Sequence, residues 1–77
     1  MTYASGELPK VGDTVLMINA TGTLMDMYAN RHGVVDRLEP DGKIKATMRD
    51  GQHEGYYEPW RFILIRRAAS EAGKAGG

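Results

Sequence analysis

Cysteine is absent from the sequence. Disulfide bonds and cysteine-based metal sites are therefore excluded as sources of stability. Because disulfides are typical of oxidising compartments, their absence favours a cytoplasmic protein. The sequence also has no apolar segment of the kind that forms a signal peptide or spans a bilayer, so we expect neither, and we expect no membrane partner.

An excess of one charge is missing as well. Lys and Arg total 10 and Asp and Glu total 10, so the formal net charge at pH 7 is zero. Domains dedicated to nucleic-acid binding are usually basic, and this balance disfavours that class. With 77 residues the chain is long enough for one domain. A domain of this size buries only about 60% of its unfolded surface, so we expect marginal stability.

The residue sets of common catalytic sites are also lacking. There is no Ser-His-Asp set, no pair of carboxylates and no glycine loop that would hold a phosphate group. His32 and His53 each adjoin a turn, and no neighbouring acid gives them a metal-binding spacing. We interpret both as exposed or capping residues. The sequence therefore predicts a protein that is not an enzyme and has no metal or cofactor.

The sequence does contain a series of short β-patterns. The clearest is an alternation that places Ile44, Ala46 and Met48 on one side of a strand, where we predict that they face the core. Tight turns are predicted at residues 39–42 and at Asp50-Gly51. Five strands are predicted in total, at residues 14–20, 32–39, 43–49, 52–58 and 62–65.

Glycine and proline mark irregular points and the ends of the domain. Gly33 inside the second strand predicts a bulge or a sharp bend. Pro59 ends the fourth strand because proline cannot donate a hydrogen bond to a neighbouring strand, and a 3₁₀ turn is predicted at Trp60 and Arg61. The small, glycine-rich C-terminal segment cannot bury enough apolar surface to become ordered. The predicted organisation is a flexible N-terminal arm, a folded domain and a disordered tail, at residues 1–8, 9–67 and 68–77.

The first third of the chain has more apolar side chains than a small domain is expected to bury. In the first strand, Val15 and Met17 would face one side and Leu16 and Ile18 the other, so either a loop or another chain must cover one side. The loop that follows is unusual because loops are normally polar. It either folds back as a lid or offers an adaptable contact surface through Leu24, Met25, Met27 and Tyr28.

Five short motifs stand in a recognisable order along the chain. They are Val11-Gly12-Asp13-Thr14-Val15, Gly33-Val34-Val35, Asp50-Gly51, an aromatic pair, and Pro59-Trp60-Arg61-Phe62. This order resembles small SH3-like barrels, in particular those of bacteria and their phages. The resemblance covers residues 9–66 and implies an all-β fold. That fold is a five-stranded antiparallel SH3-like barrel with a long loop between strands 1 and 2 and a 3₁₀ turn before the last strand.

Three groups of proteins share this outline. SH3 domains that bind polyproline helices use an aromatic groove, but their acidic first loop is missing here. The matching groove positions are Tyr28, Tyr56 or Tyr57, Pro59 and Trp60. KOW-type barrels share the Gly33-Val34-Val35 turn but are usually basic. The type II dihydrofolate reductase has a Val-Gln-Ile-Tyr motif where this chain has Glu54-Gly55-Tyr56-Tyr57, so an enzyme of that kind is not expected.

The preferred hypothesis is a small non-catalytic protein-interaction module, an accessory protein of a bacterium or phage that binds and modulates a larger protein. Its partner would be a host or cellular protein, or a second copy of the chain. Trp60 either plugs one end of the barrel or stands exposed as a binding surface, since tryptophan and tyrosine are common at interface hot spots. The binding residues of this hypothesis are Leu24, Met25, Met27, Tyr28, Tyr56, Tyr57 and Trp60.

The alternative hypothesis is a nucleic-acid-associated barrel of the SH3 or KOW type. Some barrels hold single-stranded nucleic acid on a basic strand face beside exposed aromatic residues. The candidate residues are Arg37, Lys43, Lys45, Arg49 and Arg61. The same pattern also fits a solvated face whose charges pair with Asp36, Glu39 and Glu54.

Overall fold

The structure, a computed structural model, describes residues 1–20, 28–49 and 53–68. In these ranges the chain forms five strands and one 3₁₀ turn, and no α-helix. The elements are β1 (Thr14–Met17), β2 (His32–Leu38), β3 (Ile44–Met48), β4 (His53–Tyr57), the 3₁₀ turn (Pro59–Arg61) and β5 (Phe62–Arg66). The all-β prediction is confirmed, and each predicted strand exists with slightly different ends. No helix of these residues has the length and apolar character needed to cross a bilayer.

The strands form a single antiparallel sheet in the order β4-β3-β2-β1-β5. Hydrogen bonds do not pair β4 with β5, so they do not close the sheet into a barrel. The predicted turn between β2 and β3 is confirmed, because the Gly42 amide donates to the Glu39 carbonyl at 3.0 Å. Gly42 has a φ of 94°, a conformation that glycine adopts without strain. Asp50-Gly51 lies outside the described residues.

Irregular pairing occurs in β2, but not at the predicted residue. The register shifts between Val35 and Arg37, which leaves one extra residue in β2 relative to β3. Of the two irregularities predicted at Gly33, a bulge or a sharp bend, the bulge does not occur, because Gly33 pairs in regular register with Val15 and with Met48. Gly33 instead permits a close approach: a Cβ there would lie 2.8 Å from the sulfur of Met48 and 3.2 Å from the carbonyl oxygen of Thr47. A larger residue at this position would require the Met48 side chain to move and the backbone of β3 to shift slightly.

The core lies on one face of the sheet. The predicted alternation in β3 is confirmed, since Ile44, Ala46 and Met48 are all buried. The rings of Tyr57 and Phe62 meet edge to face with centroids 5.5 Å apart, a favoured aromatic geometry. The buried apolar residues are Tyr3, Val15, Met17, Val35, Ile44, Ala46, Met48, Tyr57 and Phe62.

The N-terminal segment is anchored to the domain. The Ala4 amide donates to the Phe62 carbonyl at 2.8 Å, and the Leu64 amide donates to Ser5 Oγ at 3.0 Å. These bonds place the segment along the outer edge of β5. The side chain of Tyr3 is fully buried in the core. No pattern in the sequence marks Tyr3 as a core residue.

The hydroxyl group of buried Tyr3 is hydrogen-bonded to a buried carboxylate, that of Asp13. One oxygen of Asp13 accepts three hydrogen bonds: from the Tyr3 hydroxyl at 2.6 Å, the Lys10 amide at 2.9 Å and Arg67 Nη1 at 2.9 Å. We call this group the Asp13 clasp. It joins the N-terminal segment, the turn before β1 and the end of β5. Of the predicted tail, only Ala68 lies within the described residues.

The clasp predicts a loss of stability at alkaline pH. Burial, and then the hydrogen bond to Asp13, raises the pKa of Tyr3 well above its usual range. In the unfolded chain a tyrosine loses its proton near pH 10, whereas folded Tyr3 keeps it. The unfolded state then binds fewer protons, so the free energy of unfolding falls as pH rises above about 10.

Urea unfolding between pH 8 and pH 11 measures this effect. We expect the decline above pH 10 to be shallower in Tyr3→Phe than in the original protein. A residual decline is expected because burial also raises the pKa of Tyr57. Equal declines in the two proteins would show that Tyr3 is not the group responsible.

Candidate functional site

Trp60 lies at the surface, in the 3₁₀ turn between β4 and β5. Trp60 is 41% exposed, whereas Phe62, two residues further along the chain, is fully buried in the core. Of the two interpretations of Trp60, the structure therefore places it at the surface and gives the core position to Phe62. The predicted 3₁₀ turn is confirmed and begins one residue earlier, at Pro59.

The backbone beneath Trp60 is held by hydrogen bonds to the segment that follows β1. Asn19 Nδ2 donates to the Trp60 carbonyl at 2.9 Å, and Arg61 Nη1 donates to the Asn19 carbonyl at 3.1 Å. The amides of Ile18 and Asn19 both donate to the Arg61 carbonyl, at 2.9 and 3.1 Å. These bonds bring Ile18, which is 42% exposed, beside the turn that carries Trp60.

A charged pair orders the same turn. The guanidinium carbon of Arg61 lies 4.4 Å from the centroid of the Trp60 ring, a cation–π distance. Arg61 Nε also donates to Glu58 Oε1 at 2.6 Å, and this bond lowers the pKa of the Glu58 carboxyl. The Trp60 ring is thus stacked on a side chain that is itself held in place.

The apolar surface continues onto the outer face of the sheet. Leu16 of β1 lies opposite Ile63 of β5, and both side chains are partly exposed. Ile18 follows Leu16 at the spacing that keeps two residues of an extended chain on one face. We call these four residues, Leu16, Ile18, Trp60 and Ile63, the Trp60 platform. Sequence reasoning had identified each as a candidate contact except Ile63, which is visible only once β1 and β5 are paired.

The other predicted protein-binding residues do not join this surface in one patch. Tyr57 is only 6% exposed and belongs to the core. Tyr28 is partly buried and packs against the core. Tyr56 is exposed on β4, where Arg37 Nη2 approaches its hydroxyl at 3.5 Å. Leu24, Met25 and Met27 lie outside the described residues.

The basic strand face is largely neutralised by neighbouring acids. Lys45 pairs with Glu54 at 2.9 Å across the β3–β4 hairpin, and this contact raises the pKa of Lys45. Arg37 pairs with Glu39 at 2.6 Å. Thr47 donates to Asp36 on the same face. These contacts are the ones expected for a solvated face with paired charges.

The remaining two candidates for nucleic-acid binding, Lys43 and Arg49, do not meet. They flank opposite ends of β3 and are six residues apart in an extended chain, so about 20 Å separates them. Lys43 lines an apolar cleft of about 280 Å³ with Met1, Leu8 and Leu38 among its neighbours. The five predicted residues therefore do not form one basic patch.

Arg49 instead lines a polar cleft that sequence reasoning missed. The cleft has a volume of about 290 Å³ and is lined by Asn30, Arg31, His32 and Arg49. We call it the Arg49 cleft. Its residues come from the segment before β2 and from the end of β3, and their proximity follows from strand pairing rather than from any local motif.

Neither a metal-binding group among the described residues nor a similarity to known proteins points to a further site. Within the part of the chain that the structure describes, no three His, Asp or Glu side chains are grouped so that they could hold a metal ion. A scan against protein-family models, a search of curated proteins and a search of solved structures each returned no match. The function must therefore be argued from the Trp60 platform and the Arg49 cleft themselves.

Proposed function

We propose that this protein is a small non-catalytic interaction module whose Trp60 platform binds another protein. The observation that carries the proposal is the exposed position of Trp60, the only tryptophan, on a turn held by hydrogen bonds. An exposed tryptophan beside aliphatic side chains is a common centre of protein interfaces. Because the turn is already ordered, little conformational entropy is lost when a partner binds.

The arrangement of the aliphatic residues supports a protein rather than a small ligand. Leu16 and Ile63 lie side by side on the outer face, and Ile18 continues the strip toward Trp60. The strip consists of exposed and partly exposed side chains on the outer face of the sheet, whereas sites for small molecules are concave and bury most of the ligand. The partner is a larger protein or a second copy of this chain.

We propose further that the sheet bends into an SH3-like barrel of the bacterial and phage type, and that the protein acts as an accessory factor that modulates its partner. The pattern of burial supports the bend. Inner-face residues of β1, β2 and β3 such as Val15, Val35 and Ala46 are almost completely buried, and no second sheet or α-helix covers them in the described ranges. A single sheet buries its own face in this way when it folds over itself.

Nucleic-acid association is the weaker proposal. Arg37, Lys45 and Arg61 each hold a carboxylate, so a nucleic acid would have to displace three ion pairs. Binding of this kind requires several basic groups along the phosphate backbone and weakens steeply with salt. Arg49 forms no ion pair with a described residue and remains a candidate for binding an anionic ligand.

Affinity capture from host-cell lysate with three matched proteins tests the interaction proposal. We expect Trp60→Ala to capture at least about tenfold less of a specific partner protein than the original chain does. Truncation of a hot-spot residue removes about 2 kcal/mol or more of binding energy. Leu38→Ala is the matched control, since Leu38 is 45% exposed but lies on the apolar cleft away from the platform. It should capture the same protein as the original chain.

Two further measurements complete the test. Thermal melts should show that both variants fold, with a loss of about 1 kcal/mol or less. Light scattering during size-exclusion chromatography reports self-association, and in that case Trp60→Ala should shift a dimer to a monomer. Identical capture by all three proteins, together with a monomer throughout, contradicts the proposal.

A further inference from the structure

The Arg49 cleft is a second surface with a chemistry of its own. It collects the side chains of Asn30, Arg31, His32 and Arg49 around a volume of about 290 Å³. All four side chains can donate hydrogen bonds, and two of them are guanidinium groups. None of the described residues that line the cleft carries a carboxylate. The apolar cleft beside Lys43, by contrast, is lined mainly by apolar residues and includes the acid Glu39.

Backbone hydrogen bonds hold the residues of the cleft in place. The Asn30 amide donates to the Met17 carbonyl at 2.9 Å, and the Met17 amide donates to the Arg31 carbonyl at 3.0 Å. The Arg49 amide donates to the His32 carbonyl at 2.9 Å. Asn30 has a φ of 61°, the left-handed conformation that asparagine tolerates better than most residues. The chain turns sharply there and enters β2 with Arg31 and His32 at the cleft.

Arg49 differs from the paired arginines and lysines of the domain. Arg37, Lys45, Arg61 and Arg67 each contact a carboxylate at 2.6–2.9 Å. Arg49 and His32 form no side-chain hydrogen bond or ion pair with any described residue. Arg31 has an interaction of its own within the chain, so Arg49 and His32 are the groups we expect to reach a ligand.

We propose that the Arg49 cleft binds a phosphate monoester group. A phosphate monoester carries a charge of about −1.5 to −2 at neutral pH and has three strong acceptor oxygens. Guanidinium groups bind such oxygens through two parallel hydrogen bonds, and the imidazole and the amide supply further donors. A carboxylate has less charge and two oxygens, so it would use fewer of the donors that the cleft offers.

The size and place of the cleft limit the ligand. Its volume is at the lower end of the range for small-molecule sites, which fits one charged group better than a nucleotide. His32 lies opposite Leu16 in the sheet, so the cleft adjoins the Trp60 platform on the outer face. The phosphate belongs either to a phosphorylated side chain of a partner protein or to a small phosphorylated molecule. Binding of the group itself does not depend on the function proposed for the platform.

Titration with inorganic phosphate, followed by the ¹H–¹⁵N signals of Arg49 Nε and of the His32 and Arg49 amides, tests the proposal. Ionic strength is held constant with chloride. We expect saturable shifts and an affinity at least about tenfold weaker in Arg49→Gln, because a hydrogen bond between charged groups is lost. Arg66→Gln is the matched control, since Arg66 is an exposed arginine on β5 outside the cleft. It should bind phosphate as the original protein does.

Further ligands identify the source of the phosphate. A phosphoserine peptide and glycerol 3-phosphate are compared, and tighter Arg49-dependent binding of either one supports the proposal and names the source. Shifts that do not saturate, that are equal in Arg49→Gln, or that acetate reproduces at the same concentration overturn it. Tighter Arg49-dependent binding of single-stranded DNA also overturns it, in favour of a nucleic-acid site. Trp60→Ala should leave phosphate binding unchanged, so the result stands apart from the test of the platform.

Discussion

Asp13→Ala is expected to lower the free energy of unfolding by about 2–4 kcal/mol, because buried donors lose their acceptor at a cost of about 1–3 kcal/mol each. The Tyr3 hydroxyl and the Lys10 amide both donate to the same oxygen of Asp13, and so does Arg67. The substitution removes both carboxylate oxygens, so the Tyr3 hydroxyl and the Lys10 amide lose this acceptor. Small domains have about 5–15 kcal/mol of stability in total, so the change is large.

Thermal unfolding followed by circular dichroism measures this effect. For a domain of this size, the expected loss lowers the melting temperature by roughly 10–30 °C. Glu54→Gln is the control, because Glu54 is an exposed acid in a single surface ion pair and its replacement should cost less than about 1 kcal/mol. A melting temperature for Asp13→Ala within a few degrees of the control would mean that the clasp contributes little to stability.

Phe62→Ala is expected to cost about 3–5 kcal/mol, the usual effect of truncating a buried aromatic residue to alanine. The Phe62 ring is fully buried and packs edge to face on Tyr57, so its removal leaves a cavity in the core. The first residue of β5 is also the acceptor for the Ala4 amide, and a collapse around the cavity would disturb this bond.

The matched substitution for this core position is Ile65→Ala on the same strand. Ile65 is 47% exposed, and its truncation should cost about 1 kcal/mol or less. Urea unfolding of the two variants compares an inner and an outer side chain of β5 directly. Similar losses in both would contradict the assignment of Phe62 to the core.

Local patterns were sufficient to predict the strands and the turn between β2 and β3. The alternation through Ile44, Ala46 and Met48 has the period of a strand with one buried face. Such a strand can be predicted from its own residues, without knowledge of the rest of the chain. Pro59 was likewise predicted to end β4, because its ring leaves no backbone N–H to donate to a neighbouring strand. The prediction of an all-β domain with five antiparallel strands therefore agreed with the structure, whereas hydrogen bonds do not close the sheet into the predicted barrel.

Contacts between distant segments were not predictable in the same way. Tyr3 and Asp13 meet only because the N-terminal segment lies along β5, and no periodic pattern marks either residue. Gly33 was predicted to form a bulge or a sharp bend, but glycine in a strand can also permit a close contact, and the neighbour that makes this contact is Met48. The Arg49 cleft also joins two segments that become neighbours only through the pairing of β2 with β3.

The path of residues 3–5 along β5 has a consequence for how this protein can be handled. The outermost strand of a sheet has backbone groups that can pair with another chain, and such strands are common starting points for aggregation. Here the Ala4 amide donates to the Phe62 carbonyl and the Leu64 amide donates to Ser5 Oγ, so these two backbone groups of β5 are not available to another chain. A truncation that removes residues 1–7, or a fusion that pulls them away, would open this edge to neighbouring molecules, and affinity tags are therefore better attached at the other terminus.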